Sequence, residues 1–171
     1  MKKSYAVYYQ INMEFQSISQ IKEAGFYGFA TVEELFCFGY SNIPDAGGVY
    51  MILRKSSLKP TFVPVGTGGY YKEKDPNVSI DILKTNWIDK TCVMYIGKAT
   101  SLRKRISQYI RFGHGKNVGH FGGRLIWQLA DCKDLIVCWK PSHEDPRAEE
   151  YSLIQEFIGY YGERPFANLQ D

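Results

Sequence analysis

The chain lacks any apolar run close to the roughly 20 residues that a membrane-spanning helix needs. Two lysines stand near the N-terminus, but no long apolar stretch follows them, so this start does not fit a secretory signal peptide. We therefore expect a cytoplasmic protein without a membrane segment. With 171 residues, 44% of them hydrophobic, the chain has the size and composition of one globular domain with a real core.

Cysteine is scarce, and no two cysteines form a C-x-x-C pair. The four copies are Cys37, Cys92, Cys132 and Cys138. In a cytoplasmic chain we expect free thiols, mostly buried. A zinc site made of Cys132, Cys138 and a histidine is the less favoured alternative, because this spacing is too wide for a zinc knuckle.

Acidic residues are absent from residues 91–130, although the whole chain holds 18 of them. The same stretch carries Lys98, Arg103, Lys104, Arg105, Arg111, Lys116 and Arg124. It therefore holds +7 within a chain of net charge +3, which leaves −4 for the rest. A block of one sign repels itself unless an anionic partner faces it, so we expect a polyanion to bind here. A solvated helix face is the plainer alternative, but glycines and aromatic residues interrupt the basic ones.

Runs of β-branched and aromatic residues predict strands over residues 49–54, 92–96 and 135–139. Apolar periodicity predicts helices over residues 101–112 and 145–161, and the second begins with an Asp-Pro pair that suits a helix start. Strands and helices arranged in this way along the chain indicate an α+β fold.

Residues 1–43 are interpreted as an N-terminal helical extension. Ser17 with Gln20, and Thr31 with Glu34, each have the spacing of a capping box, in which side chains satisfy the free donors of a helix start. Two short helices are therefore expected in this segment.

A long irregular segment occupies residues 55–90, which are rich in proline and glycine and include a predicted short helix over 80–87. A turn-forming cluster at residues 44–48 precedes the first predicted strand and marks a domain boundary. Loops of this length inside a compact domain are usually functional or mobile. Four lysines in it, Lys55, Lys59, Lys72 and Lys74, favour a role in gripping a polyanion.

One glutamate lies where the last helix expects an apolar residue. Glu150 stands three positions before Leu153 and seven before Phe157, and so projects into the apolar stripe. Glu149 projects to the opposite side, where solvent is expected. A carboxylate over a core face is costly unless it is paired or binds a metal ion. The alternative is that Glu150 lies in the first helical turn, where helix ends reach the surface and anions suit the helix dipole.

An arginine shows the same anomaly in the helix over residues 101–112. Arg105 borders the apolar stripe, three positions after Leu102 and four before Tyr109. A guanidinium held rigidly there suits a phosphate. The alternative is that Arg105 extends outward over apolar surface with its charge in water.

These residues belong to an ordered set of motifs spread over residues 44–171. The set comprises Gly48-Val49-Tyr50, Tyr95-Ile96-Gly97-Lys98, Leu102-Arg103-Lys104-Arg105-Ile106 with Tyr109, Glu150 ahead of Leu153-Ile154, and Pro165-Phe166-Ala167-Asn168. In this order the motifs resemble those of the GIY-YIG nuclease superfamily. The resemblance implies an α+β domain with a small three-stranded antiparallel sheet flanked by helices. It also implies a divalent-metal-dependent endonuclease that hydrolyses DNA phosphodiester bonds.

The resemblance further assigns roles to individual residues. The implied catalytic set is Tyr50, Tyr95, Lys98, Arg105, Tyr109, Glu150 and Asn168. Glu150 would hold Mg²⁺ or Mn²⁺, Arg105 would bind the scissile phosphate and Asn168 would brace the site. Tyr50 would orient or deprotonate the attacking water with support from the other tyrosines and Lys98, which leaves the identity of the base open. The basic stretch would bind DNA through Arg103, Lys104, Arg111, Lys116, His120 and Arg124.

The chain departs from the superfamily pattern between its first two motifs. Tyr50 and Tyr95 are 45 positions apart, so residues 55–90 are interpreted as an insertion into a hairpin. We expect the strand pairing to survive it, with both tyrosine hydroxyls facing one pocket. A non-catalytic DNA- or RNA-binding module on the same fold remains the alternative function. The oligomeric state also stays open, and a dimer would suit cutting of both strands.

Overall fold

The computed structural model describes residues 13–169. The interpretation of the N-terminal lysines lies outside these residues, since it rests on the first ten positions. Among residues 13–169, no helix is long and apolar enough to cross a membrane.

One antiparallel sheet of four strands forms the centre of the fold, in the spatial order β1-β4-β2-β3. The strands are β1 (Tyr27–Thr31), β2 (Gly48–Leu53), β3 (Val93–Ala99) and β4 (Ile136–Pro141). Strand β2 pairs with β3 on one side and with β4 on the other. The α+β class and the three predicted strands are confirmed. The expected number of strands was wrong, because β1 adds a fourth.

The additional strand comes from the segment that was expected to be only helical. Gly28 takes a φ of +97°, and a Cβ there would come within 2.4 Å of the Trp139 ring. Phe29 also has a positive φ, and the register with β4 shifts between Tyr27 and Ala30. A short, bulged edge strand with a glycine has no alternating pattern, which is why the sequence shows no strand there.

The helices are α1 (Ile18–Glu23), α2 (Val32–Phe38), α3 (Ile80–Asn86), α4 (Leu102–Gly113) and α5 (Pro146–Tyr161). Both predicted capping boxes are formed, at Ser17 and at Thr31. Helix α5 begins after Asp145, whose carboxylate accepts a hydrogen bond from the Arg147 backbone, and ends at Gly162 in the left-handed region. These boundaries confirm the helix starts that the capping residues predicted.

The two faces of the sheet are covered by different helices. Tyr50, Tyr95 and the apolar stripe of α4 share one core cluster. Val49, Ile96 and the apolar stripe of α5 share the other, together with Phe15 and Ile21 from the N-terminal segment. Residues of the predicted extension therefore pack against the same sheet as the rest of the chain.

The segment of residues 55–90 leaves the sheet after β2 and returns at β3 without breaking their pairing, as expected, although the register shifts between Ile52 and Leu53. It packs on the end of α4 and on the 3₁₀ turn Arg124–Gln128. The buried Gln128 amide donates to the carbonyls of Val63, Pro64 and Val78 and so holds two inner parts of the segment together.

Candidate functional site

A cleft of about 920 Å³ opens along the outer edge of β3, between α4 and α5. Its lining is strongly cationic, with Lys98, Lys104, Arg105, Arg124, Arg147 and Arg164. Two acidic residues, Asp145 and Glu150, stand against these six cations. Because β3 is an edge strand, side chains from both faces of the sheet reach this single cleft.

Tyr50 and Tyr95 lie on neighbouring strands and on the same face of the sheet. Tyr50 is the cross-strand partner of Gly97, and its ring lies over that glycine. A Cβ at Gly97 would come within 2.6 Å of the Tyr50 Cζ atom, so the motif glycine makes room for the motif tyrosine. Tyr95 lines the cleft, whereas Tyr50 is fully buried behind it.

Three tyrosines form one aromatic cluster behind the cleft. Ring centroids of Tyr50 and Tyr95 are 5.9 Å apart, and those of Tyr95 and Tyr109 are 5.8 Å apart and stacked. The buried Tyr109 hydroxyl donates to the Gly123 carbonyl at 3.2 Å. Burial, followed by the proximity of Tyr95, raises the pKa of both Tyr50 and Tyr109 well above the ordinary value. Both phenols are therefore protonated at neutral pH.

His120 is also part of this cluster, although the sequence placed it among the residues that contact DNA. It is 1% exposed, so its side chain does not reach the surface. Its Nε2 atom lies 3.0 Å from the Tyr50 hydroxyl, and its ring is 4.4 Å from the Tyr109 ring. Burial, followed by the charge of Arg105, lowers the pKa of His120 to about 3. His120 thus lies in a loop, but its buried ring does not line the cleft.

Sequence reasoning missed the Tyr50–His120 contact because 70 positions separate the two residues. The signal that was present is the run Gly119-His120-Phe121-Gly122-Gly123. Glycines around one histidine allow a backbone to approach other groups closely, and Gly123 takes a φ of +73° against the Tyr95 ring.

Arg105 extends from α4 into the cleft, half-buried between the aromatic cluster and solvent. Among residues 13–169 its guanidinium has no ion-pair or hydrogen-bond partner. A half-buried guanidinium without a carboxylate partner is a ready site for a bidentate anion such as a phosphate.

Glu150 and Lys98 form an ion pair on the α5 side of β3. Lys98 is the cross-strand partner of Val49 and so projects to the face that α5 covers. Its Nζ atom lies 2.5 Å from Glu150 Oε2. The Glu150 side chain is 16% exposed and that of Lys98 is 44% exposed, which leaves the pair at the wall of the cleft. The sequence left open whether Glu150 is paired or binds a metal ion, and in this structure it is paired with a lysine.

Glu149 does not face open solvent, as the helical pattern had indicated. Its carboxylate is 25% exposed, lies 2.9 Å from Lys140 Nζ and accepts a hydrogen bond from Ser142. Helical periodicity placed Glu149 on the side of α5 opposite to Glu150 and predicted solvent there. Lys140 at the end of β4 and Ser142 just after it contact Glu149 instead.

Asn168 binds the backbone of β3 at its open edge. Its side-chain oxygen accepts from Ile96 N at 2.9 Å, and its nitrogen donates to Ile96 O at 2.7 Å. The Ala167 backbone nitrogen donates to Met94 O, two residues earlier. The amide thus takes the place of a fifth strand and holds the edge beside Tyr95 in position.

The basic residues of the predicted DNA surface fall into two groups. Lys104 and Arg124 line the cleft, and Arg124 lies over the Phe121 ring. Arg103 is turned toward the carbonyls of Ile43 and Ser41. Arg111 and Lys116 are exposed but do not line the cleft. Two further cations of the cleft, Arg147 and Arg164, lie outside the basic stretch and were missed for that reason.

Metal-ligand clusters of three or more His, Cys, Asp or Glu side chains are absent from residues 13–169. Cys92, Cys132 and Cys138 are buried free thiols and Cys37 is exposed. The alternative zinc site therefore has no ligand set in this part of the chain. Any divalent cation in the cleft would depend on Glu150, with Asp145 nearby on the same wall.

The chain shares sequence with one segment of a known protein. It is 33% identical over 69 residues to UvrABC system protein C of Nautilia profundicola. The match covers 40% of this chain and 11% of the relative, so the chain spans only a small part of that protein. No protein-family model and no solved structure matches the chain. The similarity to UvrABC system protein C agrees with the resemblance to the GIY-YIG superfamily that the motifs carry.

Proposed function

We propose that this chain is a divalent-metal-dependent endonuclease that hydrolyses phosphodiester bonds of DNA, on a GIY-YIG-like domain. The observation that carries the proposal is the meeting of three groups in one cationic cleft. Tyr95 reaches it from one face of β3, the Glu150–Lys98 pair from the other, and Arg105 from α4. The similarity of part of the chain to UvrABC system protein C supports the same conclusion.

The donor set of the cleft fits Mg²⁺ or Mn²⁺ better than zinc. Mg²⁺ keeps most of its water shell and binds through one or two carboxylates together with phosphate oxygens of a substrate. Glu150 supplies such a carboxylate, and within residues 13–169 no thiol or imidazole lines the cleft. A bound Mg²⁺ would supply positive charge beside the phosphate as negative charge develops on it.

A nucleic-acid backbone is the substrate class that the charge of the cleft favours. Six cations against two carboxylates give the lining an excess of four positive charges. Phosphate groups neutralise such an excess, and the release of their counterions supplies most of the binding free energy. Arg105, without a carboxylate partner among the described residues, is the side chain that we assign to the scissile phosphate.

The tyrosine cluster then acts on the attacking water. Tyr95 is the member of the cluster that lines the cleft, so its hydroxyl is the one that contacts this water. Tyr50 lies directly behind it, and Lys98 stands on the other side of the strand edge. Asn168 keeps the edge of β3 rigid, which holds Tyr95 at a constant distance from the phosphate.

A cleavage assay on supercoiled plasmid separates this function from its rivals. Nicked or linear DNA should accumulate with Mg²⁺ or Mn²⁺ and not with a chelator. The Glu150→Gln variant, purified in the same way, should be inactive, which excludes a contaminating nuclease. Tight DNA binding without cleavage under any metal would instead show a non-catalytic DNA-binding module. A preference for single-stranded RNA without cleavage would show an RNA-binding module.

A further inference from the structure

An aromatic ring stands in the cationic wall of the cleft. Within residues 13–169, Phe121 and Tyr95 are the two aromatic side chains that line it. The Phe121 ring is partly buried and meets the Phe112 ring edge-on, with centroids 6.1 Å apart. The guanidinium of Arg124 lies over the same ring, 4.9 Å from its centroid. Backbone phosphates need cations but no aromatic ring, so the charge of the cleft does not account for Phe121.

The stacked pair of Phe121 and Arg124 lies beside the proposed chemistry. Gly122 and Gly123, which separate the two residues, also line the cleft. A Cβ at Gly122 would come within 3.4 Å of the Tyr95 hydroxyl oxygen, and one at Gly123 within 3.1 Å of the Tyr95 ring. The loop that carries the pair therefore touches the tyrosine that we assign to the attacking water. A group that rests on the pair belongs to a nucleotide at or next to the scissile phosphate.

An amide stands near the pair on α4. Gln108 lies three positions after Arg105 and four before Phe112, so it shares a helix face with both. It is half-buried and lines the cleft, and Phe112, one turn further on, is the residue that meets Phe121. In the part of the chain that the structure describes, neither the Gln108 amide nor the Arg124 guanidinium has a hydrogen-bond or ion-pair partner. The amide, which both donates and accepts, can therefore bind the edge of a flat polar group.

We propose that Phe121, Arg124 and Gln108 form a nucleobase-binding subsite, which takes an unpaired base beside the scissile phosphate. The proposal rests on the nuclease function above and deepens it by naming the class of substrate. The base stacks on the flat Phe121–Arg124 pair, and the Gln108 amide binds its edge. In paired DNA the faces of a base are covered by its neighbours, so the base must leave the stack. The substrate is therefore DNA with an unpaired or displaced nucleotide at the cut, rather than intact duplex.

DNA binding without metal tests the subsite independently of cleavage. Two labelled duplexes of equal length and phosphate count, one fully paired and one with a central unpaired bubble, are titrated with the protein in EDTA and followed by fluorescence anisotropy. Extruding a paired base costs free energy that an unpaired base does not require. Wild type should therefore bind the bubbled duplex about 5- to 10-fold more tightly, the lower range for stacking of one base on an aromatic ring.

Two variants remove parts of the subsite and keep the charge of the cleft. Phe121→Leu removes the ring, and Gln108→Met removes the hydrogen bonds to the base edge. Both should reduce the preference for the bubbled duplex, in Phe121→Leu to about 2-fold or less, while affinity for the paired duplex stays that of wild type. The matched control Arg147→Gln removes a cation of the cleft and should weaken binding to both duplexes alike.

Equal affinity of wild type for the two duplexes would overturn the proposal. An unchanged preference in Phe121→Leu would also overturn it, and would leave Arg124 as a phosphate contact. If Phe121→Leu does not fold, Gln108→Met decides by the same criterion, since it leaves the Phe112–Phe121 contact in place. Preference for the bubbled duplex without cleavage of either DNA under Mg²⁺ would support the subsite and contradict the nuclease function. Cleavage without any preference would contradict the subsite alone.

Discussion

On the α4 side of β3 the inner part of the site is made of Tyr50, Tyr109 and His120, which are buried and uncharged, while Tyr95 and Arg105 in front of them line the cleft. On the α5 side it is made of Glu150 and Lys98, which are charged, paired and partly exposed. The two regions are separated by the thickness of one strand. Packing and hydrogen bonds hold the aromatic side in place, whereas the ionic side is held by a single ion pair that solvent reaches.

This difference shows how one edge strand combines two environments in one cleft. Hydroxyl groups that must keep a fixed position need a dry, tightly packed setting, in which an unsatisfied polar atom is costly. A carboxylate that exchanges a lysine partner for a metal ion needs the opposite, because a buried ion pair is hard to separate. Variants on the two sides should therefore differ in whether they change activity, stability or both.

The largest expected effect is on the ionic side. Glu150→Gln should lower Mg²⁺-dependent plasmid cleavage by at least about 1,000-fold, since a metal ion supplies several kcal/mol of charge stabilisation. Stability should change by no more than about 1 kcal/mol, because the pair with Lys98 is partly exposed. Cleavage rates, the melting temperature without metal and DNA affinity are the measurements.

Glu163→Gln is the matched control for that variant. Glu163 is exposed just beyond α5 and makes no ion pair within residues 13–169. The Glu163→Gln variant should match wild type in cleavage rate, melting temperature and DNA affinity. Glu149 is unsuitable as a control, since its carboxylate binds Lys140 and Ser142. Cleavage by Glu150→Gln at the wild-type rate would remove Glu150 from the proposed metal site.

On the aromatic side, hydroxyl removal should affect both activity and stability. Tyr50→Phe and Tyr95→Phe should each lower the single-turnover cleavage rate by about 100-fold, the lower range for loss of a proton-handling group. Tyr50→Phe should also destabilise by about 1–3 kcal/mol, because His120 Nε2 loses its hydrogen-bond partner in a dry interior. Urea unfolding measures the second effect. Full activity of Tyr50→Phe would restrict the chemistry to Tyr95.

The contact between Tyr50 of the first motif and Gly97 of the second predicts a loss of folding stability. Gly97→Ala should cost about 3 kcal/mol, the upper end for overpacking, because the new Cβ would meet the Tyr50 ring at 2.6 Å. Gly159→Ala is the control, since a Cβ there meets nothing within 4 Å in α5 and should stabilise by about 0.5–1 kcal/mol. Equal unfolding free energies for the two variants would contradict the packing of Tyr50 over Gly97.

The smallest expected effect is a pH dependence of stability that arises from His120. An unfolded histidine gains its proton below about pH 6.5, whereas burial lowers the pKa of folded His120 to about 3. The unfolded state therefore binds more protons in this window, and stability falls as the pH falls from 6.5 toward 3. Between pH 6.5 and 5 the loss should be about 2 kcal/mol.

Urea unfolding of wild type and His120→Gln at several pH values isolates that contribution, since other groups titrate equally in both. The dependence between pH 6.5 and 5 should be weaker in His120→Gln, while the control variant His143→Gln, at an exposed position, should follow wild type. Identical pH dependence in His120→Gln and wild type would show that His120 is not buried as a neutral ring.

The sequence by itself determined the elements that depend on neighbouring residues. Capping boxes at Ser17 and Thr31, the Asp145-Pro146 start of α5 and the three strands with β-branched runs all follow from local hydrogen bonding and side-chain periodicity. The α+β class follows from their order. The motif residues were predicted in the same way, because their spacing is visible along the chain, and their catalytic roles stay predictions.

Only the tertiary structure decided what depends on distant parts of the chain. Strand β1 forms because β4 offers it an edge and Trp139 packs over Gly28, neither of which a local pattern records. The burial of His120 depends on Tyr50, 70 positions away, and the partner of Glu150 stands 52 positions away on the edge strand. Helical periodicity indicates which side of a helix a charge projects from, but which groups meet it is decided by packing between elements.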